Sequence, residues 1–145
     1  MVGDGRLLRG EVPVSALFRR WRSDPLRWTL VTIAAGTTLS GAVQMVAPGF
    51  VLDLLSAPSS TATRLFFGIV GMFMTIIGAV LLHALLEPYD RRIVVFWTAM
   101  QKLAAAGAVA LCVAKNVFSN YGLLLSAFDF ATGALGLGYL WRIRR

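Results

Sequence analysis

Residues 93–114 read IVVFWTAMQKLAAAGAVALCVA. As a helix, twenty-two residues of this apolarity extend about 33 Å, enough to cross the roughly 30 Å hydrocarbon core of a bilayer. One cationic side chain, Lys102, stands near their middle. A charge at that depth costs about 2.5 to 3.5 kcal/mol even on the lenient insertion scale, so it must face protein or water and find a partner. Asp129, within the next apolar run, is the acidic residue available for that; no other falls inside such a run.

The composition agrees with a membrane solvent. In 145 residues, 57% hydrophobic content against 14% charged and a mean hydropathy of +0.71 are wrong for a soluble globule. Four runs qualify as spans: 28–47, 65–86, 93–114 and 121–141, each about 20 to 22 residues. The expected fold is therefore all-α, an antiparallel bundle of four transmembrane helices over residues 28–141, with a basic N-terminal segment (1–27) and a basic tail (142–145). Ser23-Asp24-Pro25 supplies a capping side chain before a proline, which starts a helix, and Pro48-Gly49 stops the first span. Between Phe50 and Arg64, the apolar Phe50, Val51, Leu54 and Leu55 predict a short interfacial helix, followed by the turn-rich Ala57-Pro-Ser-Ser-Thr61. Short connections at 87–92 and 115–120 predict that spans two, three and four are antiparallel neighbours.

Basic residues cluster at span ends. The N-terminal segment carries six, the Glu87–Arg92 loop two and the tail three, eleven in all on one side, against Arg64 and Lys115 on the other. Positive charge is retained in the cytoplasm, so both termini are expected there. Trp28, Trp97 and Trp141 fall near the same face, as an aromatic belt requires. The net charge of +7 is thus a mark of orientation and gives no reason to expect nucleic acid as a partner. Within the N-terminal segment, Val14, Leu17, Phe18 and Trp21 recur at helical spacing beside Arg19, Arg20 and Arg22, which predicts a short amphipathic helix on the membrane surface. No apolar stretch there has the form of a secretory leader, so this segment is expected to stay on the chain.

Counting in from the span ends puts Lys102 nine residues from Ile93 and Asp129 twelve from Trp141, a depth difference of about 4.5 Å. Thr37 and Thr38 of the first span, Thr75 of the second and Thr132 of the fourth fall near the same level, so a polar layer is expected around Lys102 and Asp129. Such a layer either fixes helix register or serves a ligand or a proton path; threonine is also a common bystander that bonds its own helix. Ser126, Asp129, Gly133 and Gly136 share one face of the fourth span, and Thr98, Lys102, Ala105, Ala106 and Val109 share one face of the third. Small residues there allow close helix approach.

Catalysis by this chain is not expected, because no nucleophile elbow, phosphate loop, dinucleotide fingerprint or zinc-protease motif occurs. One cysteine, Cys112, and one histidine, His83, exclude an internal disulfide and an all-protein metal site of the usual cysteine and histidine kinds. The step Ala79-Val-Leu-Leu-His83 resembles the chlorophyll-ligating step of light-harvesting polypeptides and makes His83 a candidate pigment or haem ligand. With 19 alanines in the chain, that spacing arises by chance about one time in eight. No cofactor is required by the sequence; quinone, lipid and pigment are the candidate ligands.

The run ThrArg64-LeuPhePheGly68-IleValGly71, then Gly78 with Leu81-Leu82, Pro88, Arg91-Arg92, and an acidic residue four before a glycine (Asp129, Gly133) resembles the uncharacterised four-helix group of the DoxX-like superfamily of small bacterial membrane proteins. The likeness spans roughly residues 28–141. Two departures are Asp129 in place of glutamate and Lys102 in place of arginine. The resemblance implies a four-helix bundle in the inner (cytoplasmic) membrane of a bacterium and, by analogy with some relatives, a membrane subunit serving a quinone-linked oxidoreductase. The expected role is therefore a non-catalytic accessory or structural subunit in the bilayer, packed against a larger membrane partner or a second copy of itself. A quinone- or lipid-binding membrane component associated with an oxidoreductase, its cavity around Lys102 and Asp129, is the alternative, and a small proton or solute carrier the third, set back by the absence of repeats and broken spans.

Overall fold

The computed structural model describes residues 24–87 and 91–144. Over that range there are five helices and no strand: α1 (Pro25–Val46), α2 (Pro48–Leu54), α3 (Thr61–Leu86), α4 (Arg92–Ala114) and α5 (Tyr121–Arg144). Four of them, α1, α3, α4 and α5, are long and apolar enough to cross a bilayer. The fold is the expected all-α bundle of a multi-pass membrane protein. The surface helix expected near Val14–Trp21 lies outside the described residues.

Local chemistry sets the helix ends. Asp24 caps α1, its carboxylate accepting from Leu26 N at 3.1 Å and Arg27 N at 3.3 Å, with Pro25 in the first turn where its missing N–H costs nothing. α1 therefore starts three residues before the apolar run. Pro48 lacks the N–H that would continue α1, and instead opens α2, the short helix expected after Phe50. Ser60 caps α3 by accepting from Thr63 N at 3.1 Å. At the far end of α4, Asn116 takes a left-handed conformation (φ 57°). Its N–H bonds Val113 O and that of Val117 bonds Cys112 O, the paired closure that satisfies the last carbonyls of a helix.

The bundle is built from two tightly closed antiparallel pairs, α1 with α3 and α4 with α5. On α1 the buried residues are Arg27, Leu30, Ala34, Thr37, Gly41 and Gln44, alternating three and four apart, so they form one stripe. Glycine lets that stripe touch backbone: a Cβ on Gly71 would lie 2.6 Å from Met45 N and 2.7 Å from Gly41 O. On the other pair, a Cβ on Gly133 would lie 2.8 Å from Leu103 Cγ and 3.1 Å from Ala99 O. Where lipid supplies no hydrophobic drive between helices, such close van der Waals packing holds them together. Gln44 Nε2 adds a cross-helix bond to Phe67 O at 3.0 Å.

The short 87–91 connection does not make α3 and α4 close partners along their length. These helices, like α1 and α5, meet over a much shorter stretch, because a loop fixes only the ends it joins while small-residue faces decide what packs. The two pairs come together in a core of Leu30, Ala34, Leu81, Leu85, Val95, Tyr139 and Leu140. That core lies toward the end of the bundle carrying the start of α1 and the end of α5. At the opposite end the connecting segments touch, Ser119 N donating to Leu55 O at 3.1 Å. Most of α3 turns outward, exposing Leu65, Phe66, Phe73 and Ile76.

Candidate functional site

The site is assembled mainly by the α4–α5 pair. Antiparallel packing through Gly133 and Gly136 places Ala99 against α5, and one turn along the same face Lys102 meets Asp129. Lys102 Nζ donates to Asp129 Oδ1 at 2.6 Å, with side-chain exposures of 7% and 17%. The ammonium also lies 5.7 Å from the centre of the Phe128 ring, within reach of cation–π attraction. A further turn away, Ser126 Oγ donates to Ala106 O at 2.8 Å, so two polar links stitch the same pair of helices.

A cavity of about 20 Å³ lies beside Lys102, between the two helix pairs. Its lining includes Thr37 of α1, Gly78 of α3, Thr98 and Lys102 of α4, and Thr132 of α5. That volume accommodates one water molecule. Quinone rings, lipid chains and porphyrins are far larger, since ligand pockets for drug-sized molecules run to about 300 Å³ and more. A much larger concavity, of about 560 Å³, opens on the outside of the α4–α5 seam. Its floor is small and apolar, with Ala106, Gly107, Ala110 and Ala127, and Leu103 and Phe130 stand beside them.

The threonines of the expected layer divide. Thr37 and Thr132 are buried and line the cavity with Lys102. Thr38 and Thr75 lie instead on the α1–α3 seam, where their hydroxyls donate to Ala34 O and Gly71 O, each 2.9 Å away in its own helix; Thr38 meets the position a Cβ on Gly78 would take. Depth along the bundle axis had grouped them, and rotation about each helix separates them. His83 is exposed in the last turn of α3. Among the described residues no three metal-ligating side chains gather.

Of three further polar placements, Thr98 shares the Lys102 face as expected, while Gln44 and Arg27 are not evident from span counting. Thr98 is buried against the cavity, Gln44 bridges to α3, and Arg27 is 0% exposed with Nη1 donating to Leu85 O at 2.9 Å. Around Arg27, its guanidinium stacks 4.5 Å from the Trp28 ring, and Arg91 stands 5.7 Å from the ring of the fully buried Tyr139. Asp24, already capping α1, also pairs with Arg142, tying the start of α1 to the end of α5. The periodicity that carries Leu30, Ala34 and Gly41 includes Arg27 and Gln44, and is the signal that finds them.

Chemically, the centre of the bundle offers a neutralised ion pair with one close-range contact, hydroxyls committed largely to backbone, and space for one water. The pair and the Ser126 bond link α4 to α5 at two successive turns. No protein-family model matches the chain, and neither does any curated protein or solved structure.

Proposed function

We propose that this protein is a non-catalytic accessory subunit of a larger membrane assembly, and that Lys102 and Asp129 fix the register of its α4–α5 pair. The contrast between the two concavities carries the reading. Beside the charged pair there is room for a water molecule alone, whereas the outer α4–α5 seam offers a broad, small-residue groove of the kind helices use to pack in lipid. Space at the pair would support the ligand-binding alternative and a path through it the carrier alternative; a cavity of about 20 Å³ favours the register role over both. The resemblance to the DoxX-like group of bacterial membrane proteins is in keeping with a small subunit of a larger membrane assembly. Photo-crosslinking tests it: with a photoreactive residue in place of Ala110, native membranes should yield one discrete higher-mass adduct containing another membrane protein. Adducts with lipid only, from a monodisperse monomer, would count decisively against a partner.

Both termini are assigned to the cytoplasm from the distribution of arginine and lysine. In a Cys112→Ser background, a membrane-impermeant thiol reagent applied to intact cells should label Ala62→Cys and leave Gly3→Cys unlabelled. The reverse pattern would invert the topology.

A further inference from the structure

We infer that the cavity at the bundle centre binds one water molecule, held between the Thr37 hydroxyl of α1 and the Lys102 ammonium of α4. Thr37 is 5% exposed, and its Oγ1 is buried with no hydrogen-bond partner among the described residues. Lys102 has three N–H donors, of which one is taken by Asp129. Both residues line the same cavity, together with Thr98 and Thr132. Those two hydroxyls donate to Val94 O at 2.9 Å and Asp129 O at 3.1 Å, which leaves their oxygen lone pairs able to accept. A buried water needs about 10 to 15 Å³ of such space and two to four polar partners; the cavity offers about 20 Å³ and four polar side chains.

The surroundings also select the ligand. Asp129 already balances the lysine charge, so nothing remains to hold an anion, and a cation would face the ammonium. A drug-sized organic molecule, which needs a pocket of about 300 Å³ or more, exceeds the volume. A neutral water fits, accepting from Lys102 and donating to a threonine oxygen. Because Thr37 belongs to the α1–α3 pair and Lys102 to the α4–α5 pair, this water joins the two halves of the bundle at mid-depth, where direct contact between them is apolar. The site stands whether or not a protein partner binds the outer groove.

Lysine occurs only at positions 102 and 115, so the full-length Lys115→Arg protein, labelled with ¹⁵N-lysine and reconstituted in lipid, carries a single ammonium signal. Solid-state NMR transfer of polarisation from water to that nitrogen should be efficient at short mixing times. It should fall several-fold in Thr37→Val, which removes the hydroxyl at nearly constant size, and be retained in Thr37→Ser. Transfer from bulk water reaching Lys102 by another route would not depend on the Thr37 hydroxyl. No transfer in the Lys115→Arg protein, or undiminished transfer in Thr37→Val, overturns the inference; should Thr37→Val fail to fold, loss of transfer in a folded Thr37→Ser would do the same.

Discussion

Asp129→Asn is expected to destabilise the bundle by about 3 to 5 kcal/mol, the cost of removing one partner from a buried ion pair. The substitution changes almost no volume, so packing against Ala99 and Leu103 through Gly133 is untouched. What it removes is the negative charge 2.6 Å from Lys102 Nζ; the amide oxygen of the variant, the inferred water and the Phe128 ring 5.7 Å away stay beside the cation, and none of them carries a counter-charge. Cation–π contact contributes about 0.5 to 2 kcal/mol, too little to replace the carboxylate. Denaturant titration in mild detergent, followed by loss of helical circular dichroism, measures the effect. A change below 1 kcal/mol, within the scatter of ordinary substitutions, would mean the pair contributes nothing to the fold.

Gly71→Val should be the second most damaging change, for a purely steric reason. The added Cβ meets Met45 N, Gly41 O and Gln44 C, all backbone atoms at 2.6 to 2.9 Å, and backbone cannot rotate aside. The helices α1 and α3 must then separate, at about 1 to 3 kcal/mol for overpacking and more if the cross-helix bond from Gln44 to Phe67 is lost. Gly107→Val is the matched control, because a Cβ there meets nothing within 4 Å. Its stability should stay within about 0.5 kcal/mol of the parent. Since Gly107 floors the outer groove, the control should nonetheless weaken the partner crosslink at Ala110, which separates fold from association in one experiment.

The sequence is most legible where one physical constraint acts alone. Span number follows from hydropathy and bilayer thickness, and the approach of Lys102 to Asp129 follows from depth plus the intolerance of hydrocarbon for a lone charge. Helix ends at Asp24, Pro48 and Ser60 follow from capping and proline chemistry. Depth, however, is one coordinate out of two. Thr37, Thr38 and Thr75 share a level, yet only Thr37 points to the shared interior, because rotation about each helix axis depends on which faces pack. The same missing coordinate hides the pairing of α1 with α3, which is decided by Gly41 against Gly71, whereas the expected pairing of α4 with α5 closes through Gly133 against Ala99. Short loops suggested otherwise for α3 and α4. Arg27 illustrates a different limit: counted as a charge flanking a span, it belongs by its spacing to the buried stripe of α1, and the stripe wins because Leu85 O offers it a partner.

If Lys102 and Asp129 form one structural unit, the combined replacement Lys102→Met with Asp129→Leu must behave unlike either single change. A buried ion pair replaced as a whole by apolar residues of similar volume is often neutral or stabilising, whereas either half alone leaves an uncompensated charge. The expected result is a double variant within about 1 kcal/mol of the parent, far above both single variants, with its crosslinked partner retained. Additive losses from the two single changes, or a double variant that folds yet no longer reaches its partner, would contradict the structural account.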